Sequence, residues 1–118
     1  MKNIADTKGL PGAQGEINFI VTGSIPTDAK KVEAVNGQYI IGHSESGHHH
    51  IIKEQDGVEV FESANDNTVI YLRVNNTTAL LEHMRGFDTH EGWSFSNGVY
   101  KMRRQVESFL EGFRRAID

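Results

Sequence analysis

Short runs of alternating apolar and polar residues cover most of the chain. Ile17-Asn18-Phe19-Ile20-Val21 is the first candidate strand, closed by Gly23 and Pro26. Tyr39-Ile40-Ile41 follows the Asn36-Gly37 turn signal, and His48 to Lys53 makes a third strand after a Ser44-Glu45-Ser46-Gly47 connection. Asp56-Gly57 turns the chain into Val58-Glu59-Val60-Phe61. Ala64-Asn65-Asp66-Asn67 turns it again into Val69 to Val74, the strongest strand pattern present. Thr78 to His83 and Val99 to Arg103 complete the series. Short strands with turns every ~8–12 residues predict an all-β, mostly antiparallel sandwich or barrel.

Two regions depart from that rhythm. Residues 1–14 are rich in Gly, Lys, Asp and Asn and read as a flexible N-terminal arm, which leaves 15–118 as a single β domain. At the other end, Val106, Phe109, Leu110, Phe113 and Ile117 fall at helical spacing. They predict a short C-terminal helix from about Val106 to Ala116, long enough to cover a sheet edge.

Composition narrows the function classes. The chain has 118 residues, a net charge of −4 and no cysteine, so disulfides and thiolate ligands are excluded. The acidic balance argues against a nucleic-acid partner. The last 21 residues carry five cations against three anions, a pattern that solvated strand and helix faces explain without a bound polyanion. No apolar run approaches the ~20 residues of a membrane helix. The N-terminus has no secretory h-region, so a cytoplasmic location is expected. Phosphate loops, nucleophile elbows and dinucleotide fingerprints are missing, and no organic cofactor is expected.

The chemistry concentrates in residues 42–54, Gly-His-Ser-Glu-Ser-Gly-His-His-His-Ile-Ile-Lys-Glu. On a strand, side chains alternate faces, so His48, His50 and Glu54 share one face and His49 takes the other. Two imidazoles and a carboxylate supply three corners of a site for Zn, Mn, Fe or Ni. A further nitrogen comes from His90 or His83, on the segment before the last strand. Glu54 is either a ligand or an orienting group for a histidine. His43 lies across the turn and is set apart from the ligands. Glu45, beside the cluster, is the one candidate general base, although an ordinary turn carboxylate fits it as well. The competing reading is an ordered His/Glu polar cluster without metal. Between binding a small-molecule ligand and catalysing a reaction, the residues do not choose.

Gly42, His48-x-His50 and Glu54 resemble the first motif of the cupin superfamily, which implies a small metal-binding β-barrel. Ser96-Asn97-Gly98-Val99-Tyr100 resembles the turn of the second motif, but Ser stands where that family has Pro, and no histidine follows Gly98. The glycine that follows the glutamate also comes early, at Gly57. The chain further resembles a group of small uncharacterised phage and bacterial proteins. The matching residues are Gln14-Gly15-Glu16, His43, Glu45 through His50, His83, His90, and Gly98 through Gln105. That resemblance implies a fold and an origin but no activity. Its alternative implication is a non-enzymatic phage or prophage interaction module with structural histidines. By analogy with small cupin-like domains, pairing into a homodimer is also expected.

Overall fold

The structure, a computed structural model, describes residues 1–42, 49–83 and 92–104. Eleven strands are present among them: β1 (Lys2–Asn3), β2 (Gly12–Gln14), β3 (Ile17–Thr22), β4 (Lys30–Lys31), β5 (Gln38–Gly42), β6 (His50–Lys53), β7 (Val58–Glu62), β8 (Val69–Val74), β9 (Ala79–His83), β10 (Trp93–Phe95) and β11 (Gly98–Arg103). They form two sheets. The first has the order β1-β10-β9-β6-β5 and the second β2-β3-β11-β8-β7-β4. Every pairing is antiparallel except β1 with β10. The expected all-β antiparallel class is therefore the observed one, as a sandwich. The expected C-terminal helix lies outside the described residues.

The alternation in the sequence sets which residues meet between the sheets. Ile17 and Phe19 on β3, Tyr100 and Met102 on β11, and Ile70, Leu72 and Val74 on β8 face Ile52 on β6, Leu81 on β9 and Phe95 on β10 in one buried cluster. Phe19 packs edge-on against Trp93 at 4.8 Å and Phe95 at 5.1 Å, and Phe95 against Tyr100 at 5.1 Å. Such edge contacts add about 0.5–1.5 kcal/mol each beyond area burial. Trp93 and Phe95 thus belong to the core. Gly12 is needed beside them, because a Cβ there would lie 2.5 Å from the Phe19 ring and 2.9 Å from Trp93.

Residues 1–14 differ from the expected arm. β1 pairs with β10, β2 pairs with β3, and Ile4, in the 3-10 turn Ile4–Thr7, is only 1% exposed. Strands of two and three residues are too short to leave a periodic signal, and the polar composition hid the single anchoring isoleucine.

Arg104 follows β11 and ties the layers together. Its guanidinium donates to the Ile41 carbonyl of the first sheet at 3.2 Å, to Asn67 O at 2.8 Å and to Glu62 of the second sheet at 3.1 Å. No helix among the described residues is long and apolar enough to cross a membrane.

Candidate functional site

The site is built at one end of the sandwich, around His50 at the start of β6. Opposite it on β5 the register shifts between Ile40 and Gly42, a bulge that places two residues against one. On its other side His50 pairs directly with His83 of β9. From the facing sheet comes the β2–β3 hairpin. Its two-residue connection is Gly15-Glu16, with Gly15 at φ +57°, the left-handed first position that glycine fills in a tight hairpin. The bulge and the hairpin both need glycine. A Cβ on Gly15 would lie 3.1 Å from His50 Cε1, and one on Gly42 would lie 2.6 Å from Ile17 Cδ1 and 3.7 Å from His50 Cδ2.

His50 is fully buried, and both of its ring nitrogens face side-chain oxygens from the opposite sheet. Gln14 Nε2 donates to the Leu81 carbonyl at 3.0 Å. A carbonyl only accepts, so the amide orientation is determined, and Gln14 Oε1 is the atom 2.8 Å from His50 Nδ1. Nδ1 must therefore carry a hydrogen and donate it. In the neutral ring this leaves the lone pair on Nε2, and Nε2 sits 3.2 Å from Glu16 Oε1. A lone pair against an ionised carboxylate is repulsive. The approach is favourable with a positive species between the two atoms: a proton, held on Nε2 or on the Glu16 carboxyl, or a bound cation. Glu16 is 27% exposed, so this edge of the site opens to solvent.

His83 is brought to His50 by its ring face. The rings are stacked with centroids 4.2 Å apart and planes 6° from parallel. An imidazole binds a metal in its own ring plane, so two stacked rings do not share one ion through these positions. His83 thus shapes the wall of the site.

Glu54, expected on the same face, is not part of it. β6 ends at Lys53, and Glu54 is exposed, with its N–H bonded to Gly37 O at 2.8 Å. It lies four residues beyond His50, roughly 13 Å at ~3.3 Å per residue. His49 precedes β6 and is half-buried. His43, Glu45, His48 and His90 lie outside the described residues. The segments that carry them join the described chain at Gly42, His83 and Gly92, all at the His50 end. Among the described residues no three His, Asp or Glu side chains are grouped closely enough to hold a metal.

Gln14 and Glu16 are the residues around His50 that a reading of the sequence alone does not assign. They were visible only as part of the Gln14-Gly15-Glu16 match to the phage and bacterial proteins. No spacing rule connects Gln14 to a histidine 36 residues away.

A family model described as a domain of unknown function, DUF8820, matches residues 13–105, a span that contains Gln14, Glu16, His50 and His83. No curated protein and no solved structure matches the chain.

Proposed function

Because the chain belongs to DUF8820, a family described as a domain of unknown function, its role has to be argued from the site, and we propose that it is a small cation-binding protein in which His50 Nε2 and Glu16 are two ligands of a divalent transition metal. The observation that carries this reading is the 3.2 Å approach of Glu16 to the nitrogen whose partner, Nδ1, is committed to Gln14. Two ligand atoms each ~2.1 Å from one ion sit roughly 3 Å apart. A histidine ligand whose other nitrogen donates to a fixed amide oxygen is also the usual outer-shell arrangement of a metal histidine. Imidazole with carboxylate suits Zn, Mn, Fe or Ni. His48 and His90 are the residues from which the sequence would complete the set, in the cupin-like manner that Gly42 and His48-x-His50 suggest. Glu54 is left out.

Metal content of the untagged protein, measured per chain, tests the proposal. We expect near-stoichiometric metal in the wild type, affinity lower by roughly 10-fold or more in Glu16→Gln, and no change in Glu54→Gln. A metal-free wild type that also fails to take up added Zn, Mn, Fe and Ni would reject it.

The second reading is a non-enzymatic interaction module in which His50 is an imidazolium paired with Glu16. It is favoured by the complete burial of His50 and by the way Gln14 joins the two sheets through it. In that case Glu16→Gln lowers stability at neutral pH and changes no metal content.

A further inference from the structure

Arg104 does more than tie the two sheets together. The bulge on β5 pairs Ile40 with Ile51 and Gly42 with His50, and gives Ile41 between them no partner on β6. An extra residue of this kind interrupts the ladder of backbone hydrogen bonds. The carbonyl of Ile41 accepts a hydrogen bond from across the sandwich, from Arg104 Nη1 at 3.2 Å.

That donor is held from two other sides. Arg104 Nε donates to Asn67 O at 2.8 Å, and Nη2 reaches Glu62 Oε2 at 3.1 Å. The backbone N–H of Arg104 bonds to Thr68 O at 2.9 Å. Asn67 itself sits in a closed turn, where Asp66 Oδ1 accepts from the Thr68 N–H at 2.9 Å and from the Thr68 hydroxyl at 2.6 Å. Two guanidinium nitrogens are thus fixed to the second sheet, and the third crosses to β5. The planar fork makes its direction rigid, as a flexible lysine ammonium would not.

The bulge decides which residue stands opposite His50. In a regular ladder Ile41 would follow Ile40 and face His50. The bulge sets Gly42 there. A Cβ in that place would lie 2.6 Å from Ile17 Cδ1 and 3.7 Å from His50 Cδ2, so an isoleucine side chain would press on both. Ile17 pairs with Gln14 across the β2–β3 hairpin and directly follows Glu16. A shift of Ile17 would therefore move the two residues that face the His50 nitrogens.

We propose that Arg104 is the positioning residue of the His50 site, an inference that rests on reading His50 and Glu16 as cation ligands. It holds the carbonyl of the extra residue and keeps β5 in the bulged register. It thereby places Gly42, Ile17 and Glu16 for cation binding without touching the cation.

The test compares the full chain with Arg104→Ala, Arg104→Lys and a control, Arg73→Ala. Arg73 is an exposed arginine paired with Glu59 on the same sheet. Two readouts are needed: Zn affinity, and nuclear Overhauser contacts between β5 and β6 in the metal-free protein. We expect Gly42–His50 contacts in the wild type and in Arg73→Ala, and their loss in Arg104→Ala. Zn binding should weaken roughly tenfold or more in Arg104→Ala. Arg104→Lys keeps the charge and loses the fork, and should weaken binding roughly threefold, in line with one net hydrogen bond. If Arg104→Ala does not fold, the same contacts and affinity in Arg104→Lys decide. Gly42–His50 contacts unchanged in the Arg104 variants, wild-type Zn affinity in both of them, or an equal loss of affinity in Arg73→Ala would each overturn the proposal. A wild type that binds no Zn would overturn the cation reading, and the Gly42–His50 contacts would still decide whether Arg104 holds the register.

Discussion

The two ends of β6 carry polar groups of opposite character. At His50 the ring is fully buried and its partners are mutually committed: Gln14 holds one nitrogen, Glu16 faces the other from the solvent edge, and His83 stacks on the ring. At Glu54 they are exposed, and only the Tyr39 ring beside them belongs to the core. The difference is one of dielectric. Electrostatic and hydrogen-bond terms in a dry site are stronger, and so is the cost of leaving one unmade. The His50 end should therefore contribute to stability and tolerate little change. The Glu54 end faces water and should tolerate substitution.

The largest expected effect tests that contrast directly. His50→Ala removes a fully buried ring and strands the Gln14 amide, so it should destabilise the fold by roughly 2–4 kcal/mol in urea unfolding. Tyr39→Phe, which removes one hydroxyl that reaches solvent, should stay within about 1 kcal/mol of the wild type. Equal losses in the two variants would break the comparison.

Glycine substitution gives a smaller, sharper version. Gly42→Ala drives a Cβ to 2.6 Å from Ile17 Cδ1 in the buried wall beside His50. Overpacking of this kind costs about 1–3 kcal/mol. At the other end Gly37 has φ +76° and nothing within 4 Å of a new Cβ. Gly37→Ala therefore pays only for its left-handed backbone, about 1 kcal/mol. Thermal unfolding of the two single variants should rank Gly42→Ala below Gly37→Ala.

The smallest effect is a pH dependence belonging to Tyr39 alone. Burial, and then the negative charge of Glu54, raise its folded-state pKa, so above pH 10.0 the unfolded chain loses the phenolic proton first. The contribution is fully present below that pH and is lost as pH rises through the folded value. Stability should consequently fall on the alkaline side more steeply in the wild type than in Tyr39→Phe. Superimposable alkaline limbs would remove the assigned desolvation.

Periodicity was a good guide to faces and a poor guide to neighbours. Alternation along residues 17–21 and 58–61 located β3 and β7, because a half-buried strand must repeat every two residues, and the near-continuous apolar run 69–74 located β8, a central strand buried on both faces. The same rule put His50 and Glu54 on one face. It carried no information about where along the strand the site ended, and the turn after Lys53 took Glu54 to the opposite end of the molecule. Glu16 was missed for a related reason. It sits in a hairpin turn, where no repeat marks it, and it meets His50 only because the two sheets close on each other.

From the sequence alone came the all-β class and the absence of thiolate chemistry. These are consequences of local geometry and residue type, which each short segment carries by itself. Tertiary structure alone decided that Gln14 sets the His50 tautomer, that His83 presents its face and not a nitrogen, and that Arg104 reaches across to the Ile41 carbonyl. Those relations join residues on different strands and sheets, and their distances are set by strand register and sheet packing, which depend on the whole chain folding at once.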